Sequence, residues 1–350
     1  MQERNYHDQL NIENTEKLRE LVKSLPKFAA SFFRGIEPTT SSKTRIAYAY
    51  DLGIFFDFIK EANPLFKDIE VRNIQMEILD QIIATDIEEY LEYLSFYKKN
   101  GVEHTNNERG KMRKLASLRT FYKYYFKKEL ILTNPPSIVD MPKLHQKEII
   151  RLDIDEVALL LDQVEQGDKL TEREKHYHAK TKIRDLALLT LLLGTGIRVS
   201  ECVGLDIDDV DFKNLGIKIL RKGGTESIVY FGDEVEEALL SYLDERKKII
   251  PETGHENALF LSMQKKRLNV RSVENLVKKY SKLITHLKNI TPHKLRSTYG
   301  TSLYRETGDI YLVADVLGHS DVNTTRKHYA ALEDQRKRSA RNKVTLRESK

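Results

Sequence analysis

The chain has 350 residues, enough for more than one domain with its own core, and a net charge of +5, a modest basic excess compatible with a nucleic-acid partner. Its one cysteine, Cys202, excludes an intramolecular disulfide framework and a cysteine-rich zinc site, and it suits a reducing compartment. The opening stretch MQERNYHDQL is polar and the apolar run at 186–193 is too short to span a bilayer, so a cytoplasmic protein with no membrane partner is expected.

Taken in chain order, the polar cluster at 39–42 can cap a helix, and apolar residues then recur at Ile46, Tyr50 and Phe56, predicting an amphipathic helix to about Lys60. Two more helical patterns run through Ile87, Tyr90, Leu91 and Leu94, and through Leu115, Leu118, Tyr122 and Tyr125. The first third is therefore expected to be all-helical. Residues 98–128 carry ten Lys or Arg against two acids. That excess suits phosphate contacts as well as it suits a solvated helix face. Asn134-Pro135-Pro136 and Met141-Pro142 break helices, because proline lacks the backbone donor and restricts the residue before it. They predict a helical domain over 1–135, a linker over 136–150 and a second domain over 151–350.

In the second domain, Asp153 or Asp155 can start a helix through Leu161, the charged stretch 165–182 reads as an exposed loop or helix extension, and 186–193 reads as a buried helix. Residues 216–220 and 227–231 flank Arg221-Lys222-Gly223-Gly224 as a short hairpin with Lys222 at its tip. Asp233 and Glu236 form a candidate capping box, and Val273, Leu276, Val277, Tyr280, Leu283, Ile284 and Leu287 mark an amphipathic helix. The fold class expected is mainly α with a small β-sheet in the C-terminal domain. The tail, with seven Lys or Arg against three acids over 333–350, reads as a basic end or a short docking helix.

The polar residues near the end of the chain are suited to phosphoryl chemistry. Thr291-Pro292 is a helix-start signal, placing His293 and Arg296 on one face near free N–H groups that favour an anion. Asp309 can start a helix that Gly318 ends, with His319 in the turn that follows and Tyr329 ten residues further on. Arg198 follows the turn Gly194-Thr195-Gly196 and can pair with Glu201. Each residue also has an ordinary explanation: a surface cap, an ion pair, a solvated turn lysine, or packing of one tyrosine among 17. No His-x-x-x-His pair with a nearby acid suggests a metal site.

In order and in context, these segments resemble the tyrosine recombinase and integrase family. The matching stretches are Gly194-Thr195-Gly196-Ile197-Arg198-Val199-Ser200-Glu201, Leu220-Arg221-Lys222-Gly223, Thr291-Pro292-His293-Lys294-Leu295-Arg296, and Leu317-Gly318-His319-Ser320 continuing through Thr324-Thr325 to Tyr329. Thr44, Tyr48, Asp51-Leu52, Phe55 and Phe58 resemble the first helix of the family's core-binding domain, and Leu118-Arg119 with Phe121-Tyr122 and Asn134-Pro135 resemble its last helix and exit. Within the family, the length and the stretch Leu25-Pro26-Lys27-Phe28 are most similar to the Xer-type recombinases of streptococci and their relatives.

The resemblance implies a two-domain clamp on double-stranded DNA that carries a specific recombination site. It also implies a homotetramer on two such sites, no cofactor and no metal. Tyr329 would be the nucleophile, Arg198 and Arg296 would bind the phosphate, Lys222 would protonate the leaving oxygen, His293 would assist at the tyrosine and His319 would hydrogen-bond the phosphate. Lys43, Arg45, Arg109, Lys111, Arg113, Lys114 and Arg119 are the cations expected along DNA. Both chromosome-dimer resolution and movement of a mobile element fit, and accessory proteins are not indicated. Three features depart from the Xer pattern. Tyr329 lies ten residues after His319 where nine is usual, Thr225 and Ser227 replace basic residues of the hairpin, and the charged stretch 165–182 is long. Two other classes compete with this reading: a type IB topoisomerase with similar chemistry, and a non-catalytic DNA-binding regulator of the same fold.

Overall fold

The structure is a computed structural model, and the residues it describes are 6–144, 150–221, 224–285, 287–319 and 321–322. The chain divides into two compact units, Met1–Lys147 and Glu148–Lys350.

The first unit contains α1 (Tyr6–Lys23), α2 (Ala29–Gly35), α3 (Ser42–Ala62), α4 (Ile78–Gln81), α5 (Ala84–Tyr93), the strands β1 (Tyr97–Lys99) and β2 (Val102–His104), and α6 (Glu108–Lys127). Side-chain oxygens start the long helices: Ser41 accepts from the Thr44 N–H at 3.3 Å and Asn107 from the Gly110 N–H at 3.1 Å. Apolar spacing turns one face of α3 and α6 inward, and the core between them is largely aromatic. Phe28, Phe32, Phe56, Phe121 and Tyr125 meet edge-on or tilted, with centroids 5.1–6.1 Å apart. Such contacts add to the burial of large apolar surfaces.

Two expectations need correction here. The first third is not all-helical, because β1 and β2 pair antiparallel from Tyr97↔His104 to Lys99↔Val102. Their two-residue turn is Asn100-Gly101, with φ of 52° and 76°. An Asn-Gly pair takes the left-handed region at both positions and so favours a tight hairpin, a local signal that outweighed the helical surroundings. The proline-rich exit is also more tightly packed than a linker composition suggests. Pro135, Pro136 and Val139 are buried, and Arg119 donates to the Pro136 carbonyl at 2.8 Å and to that of Val139.

The second unit holds α7 (Ile154–Gln166), α8 (Glu172–Thr195), α9 (Val199–Gly204), β3 (Val210–Asp211), β4 (Gly216–Leu220), β5 (Glu226–Tyr230), α10 (Asp233–Arg246), α11 (Val270–Ile284), α12 (Pro292–Thr307) and α13 (Ile310–Leu317). The strands form one antiparallel sheet in the order β3-β4-β5, with Gly216 opposite Tyr230 and Leu220 opposite Glu226. Helix α8 is the hub. Its segment with Ala187, Leu188, Leu189, Leu191 and Leu192 is inaccessible to solvent, and the helix packs against α7, α10 and α12.

Most of the charged stretch 165–182 is the helix extension that was one of its two expected forms, since α8 begins at Glu172, but it is not simply exposed. Gly167 ends α7 at φ 71°, and Thr171 restarts the chain as α8, exchanging hydrogen bonds with Glu174. Within it His178 is buried on the Val164 carbonyl, and Thr181 donates to buried Asp185 at 3.0 Å. Gly232, not Asp233, occupies the cap position of α10, so the expected box with Glu236 does not form. The α11 pattern ends at Ile284; Leu287 lies beyond the helix and is exposed. Among the described residues, no helix is long and apolar enough to cross a membrane.

Candidate functional site

The site is built around the carboxyl end of α13. A helix end leaves its last carbonyls without intrahelical donors, and those carbonyls carry the negative pole of the helix dipole. Asp309 starts α13 by accepting from the Tyr311 and Leu312 N–H groups at 2.8 and 3.1 Å, and Gly318 ends it in the left-handed region at φ 61°. That turn returns the His319 N–H to the Ala314 carbonyl at 2.9 Å and the Gly318 N–H to the Asp315 carbonyl at 2.8 Å. The next three carbonyls are each met by a different arginine. Arg221 Nη2 donates to Val316 O at 3.0 Å, Arg296 Nη2 to Leu317 O, and Arg198 Nη2 to Gly318 O at 3.3 Å.

Each arginine reaches this point by a different route. Arg198 stands at the start of α9, where Glu201 accepts its backbone N–H at 2.7 Å and its Nη1 at 2.8 Å. The Glu201 side chain is only 3% exposed and that of Arg198 34%, so a buried carboxylate holds a guanidinium whose other edge remains open. Arg296 lies on α12, buried, and also donates through Nη1 to the Gly196 carbonyl at 2.6 Å. Gly196 ends α8 at φ 64°, and a Cβ there would overlap the Tyr299 ring, so glycine is required both by the backbone and by the space. Arg221 follows β4 at the base of the hairpin. Burial is the main influence lowering its hold on its proton; Glu201 counters this, Arg198 adds to it and Asp315 counters it.

Pro292 occupies the first turn of α12 without losing a needed N–H, and puts His293 one residue on. His293 keeps an exposed edge, yet its surroundings push its pKa below the usual imidazole value, first by desolvation and then through the positive charges of Arg296, Lys294 and Arg198. Both influences favour its neutral form. The structure thus brings Arg198, Arg296 and the His319 turn together and sets His293 within the field of both arginines. Lys222 and Tyr329 lie outside the described residues. Among the described residues, no group of three or more His, Cys, Asp or Glu could hold a metal ion.

Arg221 is the member that motif reading missed. It was legible only as part of a hairpin turn, because its partner Val316 lies 95 residues away.

The cations expected along DNA divide by their surroundings. Lys43 and Arg109 are exposed on the first turns of α3 and α6. Lys111 donates to Ser95 Oγ at 2.6 Å, and Arg113, half exposed, to Asp51 at 2.5 Å. Arg45, Lys114 and Arg119 serve the domain itself. Arg45 is buried beside Glu37, Lys114 is buried on Asn106 with desolvation lowering its pKa, and Arg119 is tied to the exit-segment carbonyls.

Residues 151–336 match the model of the phage integrase family. The tyrosine recombinase XerC of Caldanaerobacter subterraneus is 33% identical over 317 residues, covering 87% of this chain and 82% of the relative. The chain belongs to the phage integrase family of tyrosine recombinases. Tyrosine recombinase XerS of Streptococcus thermophilus is 29% identical over 355 residues, covering 93% of this chain and 98% of that protein. The XerH recombinase in a post-cleavage complex with its difH substrate shares the fold, with a TM-score of 0.63 and 20% identity over 86% of this chain and 80% of that one. The Tn1549 transposon integrase in complex with circular intermediate DNA gives a TM-score of 0.63 and 21% identity, covering 88% and 97%. A mainly helical tyrosine recombinase with a small sheet in its catalytic domain is thus the architecture of this chain, and site-specific recombination is its activity.

Proposed function

We propose that the chain binds double-stranded DNA carrying a specific site, cuts one strand through Tyr329 and rejoins it to a new partner. The Tyr329 oxygen attacks phosphorus and the bond to the 5′ oxygen breaks, leaving a 3′-phosphotyrosine. Lys222, which follows Arg221 in the turn between β4 and β5, delivers a proton to the departing oxygen as the general acid. His293, whose neutral form its surroundings favour, accepts or relays the tyrosine proton. Arg198 and Arg296 hold the non-bridging oxygens, where planar guanidinium groups match a phosphate with several donors at once, and His319 adds a hydrogen bond. The ester keeps the energy of the broken bond, so the reverse attack by a 5′ hydroxyl reseals DNA without a cofactor.

The observation that carries this reading is the convergence of Arg198 and Arg296 on the last carbonyls of α13, beside the turn that holds His319. In the free protein those carbonyls occupy donors that a phosphate can claim. Two domains joined at about residues 136–150 close as a clamp, and Lys43, Arg109, Lys111 and Arg113 contribute phosphate contacts that weaken as salt rises. Four protomers assemble on two sites. The relationship to streptococcal XerS over nearly the full length favours a Xer-type role, in chromosome-dimer resolution or in element movement.

The test is a nicked duplex, selected by this protein from a random-sequence pool, that traps the covalent adduct. Attachment at Tyr329, lost in Tyr329→Phe and kept in Tyr311→Phe, is expected from peptide mapping of the denaturant-stable product. An adduct on Tyr329→Phe overturns the assignment.

A further inference from the structure

The hairpin bearing Lys222 is closed by the Arg221 N–H on the Thr225 carbonyl at 2.8 Å and the Gly224 N–H on the Arg221 carbonyl at 3.1 Å. Its turn sequence carries two adjacent glycines after Lys222. A general acid on such a tip is productive only in the fraction of conformations that point it at the leaving oxygen. Arg221, the residue before it, is anchored outside the hairpin. Its side chain leaves the base of the hairpin and bonds Val316 O at 3.0 Å, 95 residues on, at the same helix end that Arg198 and Arg296 grip. The fit is close, since a Cβ on Gly318 would overlap Arg221 Nη1.

The bond does not look like one made for stability alone. Arg221 Nη1 is buried with no hydrogen-bond partner among the described residues, and an unmet buried donor is costly. We propose that Arg221 is a positioning residue that latches the Lys222 hairpin to the carboxyl end of α13, coupling the general acid to the turn that carries His319. This rests on the assignment of Lys222 as the general acid.

The latch makes a specific kinetic demand. Loss of Arg221 should impair proton delivery to the 5′ oxygen and leave phosphate binding and tyrosine attack intact. A 5′-bridging sulfur leaves as a thiolate and needs no proton, so it isolates that step. The full-length protein and its Arg221→Gln variant are compared on the selected nicked duplex, with either the ordinary phosphate or a 5′-phosphorothiolate at the scissile position. Cleavage of the ordinary substrate by Arg221→Gln should be slower by ~100-fold, within the range of general-acid effects, and the sulfur substrate should restore it to within about threefold of the parent. Equal slowing on both substrates would assign Arg221 to the phosphate itself and overturn the latch, as would no slowing on either. Should Arg221→Gln fail to show the parent's thermal transition, Arg221→Lys is read by the same ratio. Tyr329→Phe runs in parallel: adducts with that variant would show that the underlying site assignment has failed, independently of the latch.

Discussion

Asp51 and Glu201 are both nearly inaccessible carboxylates paired with a partly open arginine, one in each unit, and their surroundings differ. The Asp51 side chain is 1% exposed and joins α3 to α6: Oδ2 accepts from Arg113 Nη1 at 2.5 Å and from Ser117 Oγ at 2.7 Å. Its Oδ1 is buried with no partner among the described residues, and desolvation raises its pKa against the opposing pull of Ser117, Arg113 and Lys114. Glu201 uses both oxygens on a residue three positions away, closing a capping box around Arg198. The first pair is a cross-link between distant helices; the second is a local mount for one guanidinium. A buried carboxylate paired with an arginine thus serves packing in one place and orientation in the other, and the number of satisfied oxygens distinguishes them.

The comparison can be broken most sharply by removing each member in turn. Arg198→Ala should slow covalent adduct formation by ~10²–10³, the usual cost of deleting one donor to a developing oxyanion. Its effect on unfolding free energy should stay at about 1–2 kcal/mol, because the arginine is about one-third exposed and solvent screens the pair. Asp51→Ala should do the reverse, costing about 1–3 kcal/mol in urea melts by stranding Ser117 and Arg113, with no more than about a twofold change in cleavage at saturating protein. Comparable losses of rate from both variants would remove the distinction.

Titration sharpens it further. A carboxyl raised in the fold contributes stability that is complete below its unfolded value near 3.8 and is lost as pH rises through the higher folded value. Asp51→Asn, which imitates the neutral form, should therefore cost less at pH 7 than Asp51→Ala. Between those two values, the parent should gain on the Asn variant as pH falls, measured by paired denaturant titrations. At the site the smallest effect is expected from Lys294→Gln. Desolvation, Arg296, Lys294 and Arg198 together lower the pKa of His293, and removing one cation returns part of the shift. The acid limb of the cleavage rate profile, where His293 becomes protonated, should move to higher pH; an unmoved limb would separate His293 from the rate.

Much of this was legible in the chain. The spacing of Leu115, Leu118, Tyr122 and Tyr125 predicts α6 because burial follows the helical repeat, and Asp309 with Gly318 brackets α13 because caps are chosen by local backbone geometry. The Asn100-Gly101 hairpin was equally local and was obscured by the helices around it. The dual character of residues 165–182 was not local: His178 and Thr181 are buried by contacts with Val164 and Asp185, which composition alone does not reveal. The surroundings of the basic residues on α6 were hidden for the same reason, since charge counts cannot tell that Lys114 bonds Asn106 and Arg119 bonds the exit carbonyls.

The sequence by itself determined the family, the helical character of both units and the identity of the candidate chemical groups, because periodicity, caps and ordered motifs are properties of short stretches. Only the tertiary structure decided how those groups are held. Arg198, Arg296 and Arg221 meet successive carbonyls of one helix end across separations of 120, 21 and 95 residues. No local rule reaches that far: the meeting depends on the start of α9, α12 and the β4-β5 hairpin packing so that three donors arrive where a terminated helix leaves three acceptors unfilled.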